Sequence, residues 1–112
     1  MYLPFPDESI WIGVLRLVIV VPGSRGMGDK RRALSHVRDR LRGRDHLSVA
    51  EVGMQEDRIR SVVAVAMVSS DARLLRSTLD GLAHEMEGWG RVLVESRELT
   101  IHRPFDAEAD EY

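Results

Sequence analysis

The stretch Ile10-Trp11-Ile12-Gly13-Val14-Leu15-Arg16-Leu17-Val18-Ile19-Val20-Val21, closed by Pro22-Gly23, decides how this chain folds. It is rich in β-branched residues, carries one charge, Arg16, and ends in a turn signal, so it reads as a strand. It is also too short for a membrane helix, which needs roughly 20 apolar residues. Alternation turns Trp11, Leu15, Leu17, Ile19 and Val21 to one face and Ile10, Ile12, Val14, Val18 and Val20 to the other. Apolar side chains on both faces mark a central strand whose two sides both need cover.

Reading outward, Asp29 after the glycine-rich loop is expected to cap a helix whose inner face repeats Leu34, Val37 and Leu41, with Gly43 near its stop. His46 to Val52 and Ser61 to Ser69 follow as strands around the polar segment Gly53 to Arg60, the pattern of a hairpin. Ser69-Ser70-Asp71 offers caps for a second helix with the stripe Leu75, Leu79, Leu82 and Met86, flanked by Leu74. Gly88-Trp89-Gly90 breaks that helix, and Arg91 to His102 supplies a last strand at a sheet edge.

This order predicts an α+β, ferredoxin-like βαββαβ fold with a four-stranded antiparallel sheet in the order 4-1-3-2 and both helices on one face. The expected organisation is an N-terminal extension over 1–9, one domain over 10–103 and an acidic, unstructured tail over 104–112. Two helices cover one face of the sheet only. The second face, with Ile12, Val14 and Val18, then requires either a homodimer or the N-terminal extension folded back over it.

At 112 residues the chain is the size of one domain. The lack of cysteine excludes disulfides and thiolate metal sites. Met1 to Ser9 has no basic segment of the kind that opens a signal peptide, so a cytoplasmic location is expected and no membrane partner.

The motifs argue against an enzyme, a cofactor or a metal site. No two of His36, His46, His84 and His102 lie at a ligand spacing of three to five residues, and Ser69-Ser70-Asp71 stands where a helix needs a cap. Glu56-Asp57 and Glu85 with Glu87 sit in a polar turn and at a helix end, as solvated carboxylates do. Gly23 to Gly28 has phosphate-loop spacing, but Asp29-Lys30-Arg31 replaces the lysine and hydroxyl that must follow. Gly23-Ser24-Arg25-Gly26 is a Gly-x-x-Gly that follows a strand rather than joining two helices, so it is not a KH loop. Trp11 resembles the first-strand aromatic of an RRM, yet Arg60 to Met67 has no aromatic for the stronger motif.

Charge is the remaining signal. The whole chain carries a formal charge of −2, but Arg25 to Arg44 holds eight basic residues against Asp29 and Asp39, an excess of six. Arg25, Lys30, Arg31, Arg32, Arg38 and Arg42 are the candidate nucleic-acid ligands. A helix start flanked by Arg25 and followed by Lys30, Arg31 and Arg32 suits an anion, although Asp29 competes for it. Arg31, Ser35, Arg38 and Arg42 form one lateral stripe that could follow a phosphate backbone. The same segment also reads as a solvated face laced by Asp29 with Arg32 and Asp39 with Arg42.

Ile12-Gly13-Val14-Leu15, Pro22-Gly23, Asp29-Lys30-Arg31-Arg32, Arg40-Leu41-Arg42 and Ser48-Val49-Ala50-Glu51-Val52, followed by Val65-Ala66-Met67-Val68-Ser69, together resemble the bacterial YlxP-like family, domain of unknown function 503. The resemblance runs from about Ile10 to Ile101. It implies a ferredoxin-like fold and no established enzymatic activity. The genes of this family often adjoin those for translation initiation and ribosome maturation factors, which implies an RNA or ribosomal role. Two departures stand out: Gly26-Met27-Gly28 replaces the usual Ser-Leu-Lys, and Arg58 replaces a tryptophan common in the turn before the third strand.

The leading functional expectation is therefore a non-catalytic RNA-binding or ribosome-associated module, with RNA or a ribosomal subunit as partner. A regulatory ACT-like dimer holding a small metabolite and a protein-interaction adaptor are the alternatives.

Overall fold

A computed structural model describes residues 3–44 and 46–105. The elements are β1 (Trp11–Val20), α1 (Met27–Leu41), β2 (Ser48–Gly53), β3 (Arg60–Ser69), α2 (Ala72–Met86) and β4 (Leu93–His102). The sheet runs β2-β3-β1-β4, the expected order read from the other edge, and all three pairings are antiparallel. The fold is ferredoxin-like. The most apolar strands, β1 and β3, are the central pair, because only central strands bury both edges of their hydrogen-bonding ladder.

Leu15, Leu17 and Ile19 of β1 and Val63, Val65 and Met67 of β3 form the floor of a single core. Leu34, Val37 and Leu41 of α1 and Leu75, Leu79, Leu82 and Met86 of α2 form its roof. The helices achieve this differently. Helix α2 lies close on β1, β3 and β4, whereas α1 stands further off. Gly13 permits the close approach: a Cβ there would lie 2.7 Å from Leu79 Cδ1. Asp71 caps α2, its carboxylate accepting from the backbone N–H groups of Arg73 and Leu74.

The start of α1 departs from expectation. The helix begins at Met27 with Gly26 as its cap residue, and Asp29 lies within its first turn. From there its carboxylate reaches back to accept from the Arg25 N–H at 2.9 Å. A carboxylate in the first turn satisfies an orphan N–H from inside the helix as well as a cap does from outside, and the two are alike in sequence. The helix ends at Leu41 with Arg42 as its C-cap, and Gly43 stands near the stop as expected, its φ of +74° reversing the chain.

The second face of the sheet carries Ile12, Val14, Val18 and Val20 of β1, with Val62, Ala64, Ala66 and Val68 of β3. It is not wholly apolar. Arg16 lies on it, opposite Glu98 of β4 in the ladder, and both are exposed. Val52, Val68 and Leu93 are more than half exposed, as are Leu3 and Phe5 of the N-terminal extension, so residues 3–9 do not cover that part of the face. The expected acidic tail lies outside the described residues from 106 onward.

Candidate nucleic-acid interface

The chain's single lysine, Lys30, is not part of the surface it was expected to join. It is 1% exposed. Its ammonium donates to the backbone carbonyls of Met54 at 2.6 Å and Asp57 at 2.5 Å, and lies 3.2 Å from Glu51 Oε2. That oxygen also accepts from Ser61 Oγ at 2.6 Å. An ammonium has three protons and finds three acceptors here, which is the condition for burying it. Lys30 thus bolts α1 to the β2–β3 hairpin and offers nothing to a phosphate.

The hairpin is shaped to meet it. Met54 adopts a positive φ of 54°, and the Asp57 carboxylate accepts from the N–H groups of Ile59 and Arg60. Those donors, Arg60 first, hold the Asp57 carboxyl below its ordinary range. On the loop side, Ser24 Oγ donates to the Arg58 carbonyl at 2.7 Å. The two departures from the family pattern, 26–28 and Arg58, therefore sit at one end of the sheet, on segments joined by Ser24 and Lys30.

The remaining basic residues stay outside. Arg25, Arg31, Arg32, Arg38 and Arg42 are all exposed. Asp29 pairs with both Arg25 and Arg32, and Asp39 pairs with Arg42, so the expected i, i+3 pairs both form. The Arg25 N–H, then the Arg32 guanidinium, hold the Asp29 carboxyl below its usual range. This carboxylate occupies the first turn of α1 and faces an open hollow of ≈ 360 Å³ lined by Arg25, Gly26, Gly28 and Arg32. Arg31 and Arg38 make no ion pair among the described residues. Arg42 has left the helix as its C-cap, so the stripe is shorter than its spacing implied.

Arg40 and Arg44 serve the fold. Arg40 stacks on the Trp89 ring at 4.3 Å, and Arg44 grips Glu85 with two bonds of 2.9 Å. Trp89 Nε1 also donates to Glu85. Arg44, then Trp89, lowers the Glu85 carboxyl to about 2. Partners 41 residues away left no trace in local sequence. Among the described residues there is no cluster of three metal-ligating side chains and no helix long and apolar enough to cross a membrane.

A ferredoxin-like α+β domain with an arginine-covered first helix is the class these features define. A family model described as a protein of unknown function (DUF503) matches residues 12–98, and the chain belongs to that family. Two solved structures are similar. One is a candidate antibiotic biosynthesis monooxygenase from Bacillus cereus, at 11% identity and a TM-score of 0.44, covering 91% of this chain and 99% of that one. The other is a dabb family protein with a ferredoxin-like fold from Mesorhizobium loti, at 17% identity and a TM-score of 0.42, covering 84% and 99%. No curated protein matches the sequence.

Proposed function

We propose that this protein is a non-catalytic RNA-binding module that holds phosphates along the outer face of α1, with RNA or a ribosomal subunit as its partner in the cytoplasm. The observation that carries the reading is the exposed pair Arg31 and Arg38, one face of α1 with no carboxylate partner among the described residues. Arg25, Arg32 and Arg42 flank them, each tethered to a single aspartate that phosphate can displace. Arginine suits this role because its planar fork binds phosphate bidentately. Recognition is insensitive to base sequence, since β3 carries no aromatic side chain on which bases could stack.

The test is recovery of the tagged protein from lysate with and without RNase. Ribosomal material lost on RNase treatment supports the reading; protein partners retained without RNA favour an adaptor.

The working unit is a homodimer stacked through the second face of the sheet around Ile12, Val14 and Val18. Arg16 and Glu98, cross-strand neighbours on this face, are self-complementary in a two-fold arrangement. Light scattering at tens of micromolar should report a dimer, and Val18→Asp should break it, because an unpartnered carboxylate is costly to bury. A monomeric wild type contradicts it.

A further inference from the structure

At the end of the sheet away from the β2–β3 hairpin, an open cleft of ≈ 430 Å³ lies between the start of α2 and the paired ends of β1 and β4. Its floor is Trp11 and Ile101, and its rim is Arg73, Arg76 and Ser77 on the first two turns of α2. We propose that this cleft binds a small planar anion, an aromatic ring bearing a carboxylate or phosphate.

The floor is apolar. Trp11 is only partly buried, its indole N–H donates to Ser9 Oγ at 3.1 Å, and the Arg103 guanidinium lies 5.1 Å from the ring centroid. The indole is therefore held in one orientation before any ligand arrives, and preorganisation of this kind lowers the entropic cost of binding. A ring laid on Trp11 and Ile101 exchanges water for aromatic and aliphatic contact.

The rim is cationic. Arg73 and Arg76, at i and i+3, project from one side of α2, are exposed, and form no ion pair among the described residues. The carboxylate at the helix start forms no ion pair with either of them; Asp71 instead accepts from the Arg73 and Leu74 N–H groups. The Ser77 hydroxyl, one turn on from Arg73, adds a donor. The cleft is of ordinary ligand size and combines an apolar bed with a few convergent polar groups, the usual form of a small-molecule site. It is separate from the arginines of α1, so a ligand here can act with or without RNA bound there.

The experiment is two-dimensional NMR of the full chain titrated with 2-naphthoate and with adenosine monophosphate, each beside its uncharged counterpart, 2-naphthylmethanol and adenosine. The expected result is that at least one anion shifts the Trp11 indole N–H together with Arg73, Arg76 and Ile101, with an affinity at least tenfold above its neutral counterpart. Arg73→Gln with Arg76→Gln should abolish that margin, while Arg31→Ala with Arg38→Ala leaves it unchanged, which separates this site from the α1 reading. A response to naphthoate alone assigns the cleft to carboxylates, and to the nucleotide alone to phosphates. No shift at Trp11 with either anion, equal binding of the neutral probes, or indifference to the glutamine pair overturns the proposal.

Discussion

The two βα halves of this sheet solve one packing problem by opposite means. Helix α2 sits low over β1 because Gly13 leaves room for Leu79, and the side chains it buries are all apolar. Helix α1 stands higher, and its N-terminal turn is secured by the Lys30 ammonium, which reaches the carbonyls of the hairpin. Close apolar packing tolerates no added volume, whereas a buried ion tolerates no lost partner. The half held by the ion is also the half whose outer surface carries the arginines. A helix that spends its only lysine on the interior keeps its orientation while its other side engages a charged ligand.

The largest effect that sharpens this contrast is expected at Lys30. Lys30→Met keeps the aliphatic stem but strands two carbonyls and the Glu51 carboxylate, and should cost about 3–5 kcal/mol in urea unfolding. A loss below about 1 kcal/mol would show that water replaces the ammonium freely. On the other half, Gly13→Ala should cost about 1–3 kcal/mol, since the new methyl meets the fully buried Leu79. A neutral result would mean that α2 can rise from the sheet as α1 does.

The smallest effect belongs to the clamp joining the halves. Glu85 is depressed in the folded protein from 4.5 to about 2. A group whose folded value lies below its unfolded value stabilises above the unfolded value, and that stabilisation disappears as pH falls from 4.5 toward about 2. Arg44 and Glu85 are each more than a third exposed, so solvent screening limits the gain to about 0.5–1 kcal/mol. Glu85→Gln should flatten that part of the acid limb, while the lowered Asp29 and Asp57 carboxyls keep the remaining slope of the same sign. An unchanged limb would place the acid sensitivity entirely at the N-terminal end of α1 and its hairpin.

Much of this was legible because it is local. Alternation in β1, the α2 stripe, the Asp71 cap and the Asp29–Arg32 and Asp39–Arg42 pairs all follow from spacing along the chain. Lys30 was legible in principle: it stands at i, with Leu34, Val37 and Leu41 at i+4, i+7 and i+11, on the buried stripe. Its charge suggested the surface, and only the hairpin carbonyls, 24 and 27 residues away, reverse that reading. Arg40 and Arg44 belong to the basic segment by sequence for the same reason, since Trp89 and Glu85 meet them only through the tertiary fold. The cleft at Trp11 joins three elements that no spacing connects.

Lys30 and Arg31 are adjacent in sequence and opposite in role, and the functional side of that division is tested most directly by the salt dependence of RNA binding. Five exposed arginines less two tethering aspartates leave about three charges for phosphate, so affinity for single-stranded RNA should fall with log salt at a slope near −2, about −0.7 for each phosphate neutralised. Replacing Arg31, Arg38 and Arg42 with alanine should remove most of that slope without changing the urea midpoint. No affinity for RNA or ribosomal subunits at about 50 mM salt, where the electrostatic attraction is strong, or a slope that survives the triple substitution, would contradict the account.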